Sequence, residues 1–108
     1  LSLDEAQPAE SWLWAGQDWQ YHSLDGVVTG INAIDIQAED PDLMVERWSN
    51  AIGLPSRSRV IELEDAEISF VAATDGRADG LTAASLVAKD RKRAGESIRM
   101  CGFEFRLV

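Results

Sequence analysis

The chain has 108 residues, of which 45% are apolar, and a formal net charge of −9. That length makes one small domain with a single core, and the apolar fraction excludes a disordered polymer. The acidic balance disfavours partners that need a basic face, whether a nucleic-acid backbone or an anionic membrane. The one dense basic run, Lys89, Arg91, Lys92 and Arg93, is interrupted by Asp90 and reads as a solvated helix face. A lone cysteine, Cys101, excludes an internal disulfide and any multi-cysteine metal site. No stretch approaches the ~20 apolar residues of a membrane span, and no basic segment precedes an apolar run. The expected compartment is a reducing cytoplasm. The chain starts at Leu1 rather than Met, as a piece of a longer protein would.

Residues 1–11, LSLDEAQPAES, are acidic and small and read as a loose lead-in. Trp12, Trp14, Trp19, Tyr21 and His22 then follow within eleven residues. In an extended chain Trp12 and Trp14 share a face, as do Trp19 and Tyr21, and Gly16 and Asp18 suggest a turn between the pairs. Two readings suit these indoles. They pack on the domain or a partner, because each buries a large area, or they wall a ligand pocket. His22 is the only histidine and has no companions at metal-binding or nucleophile-activating spacing, so a surface or interface position is expected.

Leu24 to Thr29 leads into a strand at Ile31–Gln37, where Ile31, Ala33, Ile34 and Ile36 stand against Asp35 and Gln37. A helix is predicted over 41–52. Asp40 caps it, Pro41 opens it, and Asp42 sits in its first turn. Met44, Val45, Trp48, Ala51 and Ile52 make one apolar stripe, and Gly53 with Pro55 stops the helix. After a polar loop, SRSR, two alternating runs around Glu64-Asp65-Ala66 predict a β-hairpin over 59–73. Glu62, Glu64 and Glu67 could hold a hard cation, but a charged outer sheet face explains them more simply. TDGRADG, residues 74–80, is turn-rich and lacks the alternate carboxylates and closing glutamate of a calcium loop. LTAASLVA, residues 81–88, suits a buried strand or part of a helix. Asp90 to Glu96 reads as a short helical turn ending near Gly95. The chain closes on one predicted strand in which Arg99, Cys101, Phe103, Phe105 and Leu107 share a parity opposite to Glu104 and Arg106, with Gly102 as a bulge. The predicted class is α+β.

The succession of strand Ile31–Gln37, Asp40-Pro41, Trp48 and Gly53-Leu54, then hairpin and closing CGFEFRL, resembles the vicinal oxygen chelate superfamily of glyoxalases, extradiol dioxygenases and bleomycin-resistance proteins. The resemblance implies a glyoxalase-like βαβββ module over 28–108, with one main helix (41–52) on a mixed, curved β-sheet. Residues 1–27 would be a Trp-rich lead-in or the linker from a preceding module. Such modules pair to form a cup, so the implied partner is a second βαβββ module, by homodimerisation or as a missing N-terminal half. An open cup would expose apolar surface and an edge that favour pairing. The implied function is binding a small organic ligand. Trp12, Trp14, Asn32 and Glu104 are the ligand-pocket candidates.

In the resembled family a metal takes a ligand from the first strand and a glutamate from the last. Here those positions fall on Asn32 and Glu104. A catalytic metal needs about three protein ligands, so no cofactor is predicted for this module alone, and a divalent metal is possible only with a partner module. Two other implied functions stay open: half of a metal-dependent lyase, isomerase or dioxygenase, or a structural half supporting a catalytic partner.

Overall fold

The protein is described by a computed structural model that places Pro8, Gly16, residues 18–22 and residues 26–108. Trp12 and Trp14 therefore lie outside the described residues. Trp19–His22 forms a short 3-10 turn in which Trp19 is half-buried and Tyr21 and His22 are exposed. No helix among the described residues is long and apolar enough to cross a membrane.

The first strand, β1 (Val28–Ala38), is longer than the alternation predicts and is the middle of a seven-stranded sheet. Helix α1 (Pro41–Ile52) follows, as predicted. The Asp40 carboxylate accepts the Leu43 amide at 3.0 Å, and Gly53 closes the helix in the left-handed conformation at φ 79°. Then come β2 (Ser56–Arg57), β3 (Val60–Glu62), β4 (Glu67–Ala72), β5 (Gly80–Ala88), β6 (Ser97–Met100) and β7 (Phe103–Leu107). The sheet order is β2-β3-β4-β1-β5-β7-β6. Pairing is mixed: β1–β4 and β5–β7 run parallel, and the other neighbours run antiparallel. The longest runs, β1, α1, β4, β5 and β7, arrive in βαβββ order.

The core lies between α1 and one half of the sheet. Ile36, Val45, Ile61, Ile68 and Phe70 are buried there, with Ile34, Met44, Trp48, Ile52 and Leu54 around them. Trp48 meets Phe70 edge-on, with ring centroids 5.8 Å apart. The Arg59 side chain grips Asp42 through two 2.7 Å hydrogen bonds, tying the start of α1 to the β2–β3 turn.

Two segments differ from the sequence reading for one reason. SRSR is not an open loop but a tight hairpin, with Ser58 and Arg59 at φ 50° and 66°. The closing segment is not one bulged strand. Cys101 and Gly102, at φ 50° and 79°, turn it back on itself as the β6–β7 hairpin. Two consecutive residues with positive φ make the turn whose twist matches a hairpin. The reversal also resets the parity, so Arg99 pairs across from Glu104 instead of standing on the opposite face.

Candidate functional site

Side chains on β1 divide between the two faces. Ile34 and Ile36 meet the helix, while Ala33, Asp35 and Gln37 point the other way. Strand register extends the second set into two rows across the helix-free face. One row runs Ser69, Asp35, Ala83, Glu104, Arg99, and the next runs Glu67, Ala33, Ser85, Arg106, Ser97. This face is polar. The apolar open cup expected from the resemblance is not what the residues build.

Asp35 and Arg106 sit on strands separated by β5, yet the Arg106 guanidinium donates to the Asp35 carboxylate at 2.7 Å. The small residues Ala83 and Ser85 between them leave room for that reach. Arg106 Nε is buried and has no hydrogen-bond partner, while the side chain as a whole is 36% exposed on this face.

A second cluster stands at the end of β1. Gln37 is 4% exposed, and its side-chain nitrogen donates to the Asp75 carboxylate and the Ala78 carbonyl, both at 3.1 Å. The Arg77 guanidinium donates to Asp75 at 2.6 Å, to Thr82 at 3.1 Å and to the Gln37 carbonyl oxygen at 3.4 Å. Asp75 also accepts the Arg77 backbone amide at 3.0 Å. That amide, then the guanidinium, hold the Asp75 carboxyl down at about 2. Gly102, at φ 79°, lies where this cluster meets the β6–β7 turn, and a Cβ there would come 3.0 Å from an Arg77 nitrogen and press on that side chain. The TDGRADG segment is thus a clamp that joins β1, β5 and the closing hairpin.

Glu104 lies on the helix-free face as an arginine neighbour, 4.0 Å from Arg99. Asn32 is exposed at a β-bulge between Ile31 and Ala33, outside the register with β5. Glu104 lies two strands across and level with Asp35, three residues further along β1, and the structure does not bring Asn32 and Glu104 together. Glu62 and Glu67 face each other across β3–β4 and are exposed. Among the described residues, no three of His, Cys, Asp and Glu gather as a metal site requires. Among the described residues the carboxylates of this face do not converge on a cation: Asp35 is bonded to Arg106, Glu104 lies 4.0 Å from Arg99, and Glu67 is exposed opposite Glu62.

Sequence reasoning had Glu104 but missed Asp35, Gln37, Arg77 and Arg106. For Asp35 and Gln37 the signal was present, since both are polar interruptions on one face of an otherwise apolar strand. Arg77 gave none, because its role depends on a loop folding back onto β1.

No family model matches the sequence. No curated protein matches it either. Among solved structures, the chain is similar to the crystal structure of methylmalonyl-CoA epimerase from Mycobacterium tuberculosis, with a TM-score of 0.58. The likeness covers 82% of this chain and 93% of that one at 15% sequence identity. At that identity the two share a fold, which is the glyoxalase-like α+β arrangement of one main helix on a mixed sheet.

Proposed function

We propose that this chain is a vicinal oxygen chelate module whose helix-free face forms, with a second module, a cup for a small organic ligand. The observation that carries this reading is the polar floor built by Asp35, Arg106, Gln37 and Arg77, in which the Arg106 side chain stays partly exposed. A floor whose remaining donor capacity belongs to arginine favours a ligand with carboxylate or carbonyl oxygens. Pairing is supported by the sheet edge: β6 is an edge strand whose four residues are all exposed. The module contributes binding groups and no complete metal site; a metal-dependent reaction would need its ligands from the partner.

The test combines solution mass, metal content and calorimetric titration of the purified chain with small mono- and dicarboxylic acids. The expected result is a metal-free dimer that binds a member of that panel, with binding lost in Arg106→Gln. Binding unaffected by that substitution would remove the assigned floor. A stoichiometric metal held by this chain alone would overturn the reading in favour of a metal-dependent enzyme.

A further inference from the structure

Each guanidinium in the two rows of the helix-free face stands beside a carboxylate. Arg106 donates to Asp35 at 2.7 Å, and Arg99 lies 4.0 Å from Glu104. Glu67 shares the second row, so the rows hold three carboxylates against two guanidiniums. A plain carboxylate ligand would therefore approach Arg106 across a face with one negative charge in excess, on a chain of net charge −9. Asp35 is itself only partly used. Its Oδ2 accepts the Arg106 hydrogen bond, whereas its Oδ1 accepts none among the described residues and is open to solvent. The two side chains are 17% and 36% exposed. Between their strands β5 offers only Ala83 and Ser85, small and buried, so both charged groups are reached from one shallow trough.

We propose that the Asp35–Arg106 pair recognises an α-amino acid: the ligand's carboxylate accepts from the Arg106 guanidinium while its ammonium donates to Asp35 Oδ1. This rests on the cup reading above and narrows its ligand class. Three features select the class. The pair presents a donor and an acceptor side by side, which matches a ligand whose carboxylate and ammonium lie on neighbouring carbons. A ligand with a carboxylate alone sets its own oxygens against Oδ1, a like-charge contact that discriminates against it. A hydroxy acid removes that clash by donating a hydrogen bond, but only an ammonium also offsets the excess negative charge of the face.

The experiment is calorimetric titration of the full 108-residue chain with three matched sets of acids. These are propionate, lactate and alanine; succinate, malate and aspartate; and phenylpropionate, phenyllactate and phenylalanine. Members of a set share a carbon skeleton and differ in the group beside the carboxylate. In the set whose skeleton fits, the amino acid should bind tightest and the plain acid weakest, the two about tenfold apart. Asp35→Asn should level that order, weakening the amino acid and tightening the plain acid, with native Trp48 fluorescence showing that the fold survives. Ile98→Glu, at an exposed residue on the opposite side of the sheet, is the control and should change no affinity. A plain or hydroxy acid that binds as tightly as its amino counterpart in the parent would overturn this assignment and leave the cup reading standing. So would an amino-acid preference that persists in Asp35→Asn. Absence of binding by every acid would overturn both.

Discussion

Asp75 shows how one carboxylate can fix a distant loop. It accepts the Arg77 amide, the Arg77 guanidinium and the Gln37 side chain, and its carboxyl titrates near 2 rather than near the ordinary aspartate value of about 3.9. A depressed folded-state pKa means stabilisation that is complete above the unfolded value and lost as pH falls through the folded one. The melting temperature of Asp75→Asn should therefore fall below the parent's by a constant amount at neutral pH. That gap should begin to close near pH 4 and vanish below about pH 2. A gap that ignores pH would mean the Asp75 charge does no work in the clamp. Arg106 is the complementary case. Its bond to Asp35 uses only part of the guanidinium and the side chain stays partly exposed on the helix-free face, so Arg106, and not the better satisfied Arg77, is the one to substitute when ligand binding is tested.

Elements legible in the sequence are those whose start and stop are local. Helix α1 was readable to the residue because Asp40, Pro41 and Gly53 act on their immediate neighbours. Removing the cap with Asp40→Ala should cost about 1 kcal/mol, seen as a melting temperature lower by about 4 °C with the native fluorescence of Trp48 intact. The β3–β4 hairpin was equally plain, since Ile61, Ile68 and Phe70 alternate cleanly into the core. The hairpins at Ser58-Arg59 and Cys101-Gly102 were not. Their turns need positive φ at Ser58, Arg59 and Cys101, which do not advertise it, and tertiary pairing overrides local preference there. The site was half legible for a related reason. Asp35, Gln37, Glu104 and Arg106 stand out by phase, whereas Arg77 enters only once the 74–79 loop closes on β1. Asn32 was selected by the resemblance, as the first-strand position, and it stands exposed at the bulge.

The whole molecule is one sheet with two different unfinished sides. The helix-free side is polar and ion-paired; the helix side is apolar beyond the reach of α1. Because the sheet separates them, substitutions on one side should act independently of the other. Ile98→Glu should leave carboxylate binding at the Arg106 face unchanged. Cross-effects in either direction would mean that the two sides share an occupant. The central place of β1 also has a consequence in time. It is the first strand among the described residues, yet Ala33 pairs with Glu67 and Val28 with Ala88, the latter more than half the chain away. At roughly 5–20 residues per second of synthesis, the middle strand waits roughly 3–12 s for its last neighbour. Helix α1, complete soon after β1, is the first of the described elements that can shelter Ile34 and Ile36 on a ribosome during that wait. A nascent chain cut short just after Pro55 should thus resist aggregation better than one cut within α1.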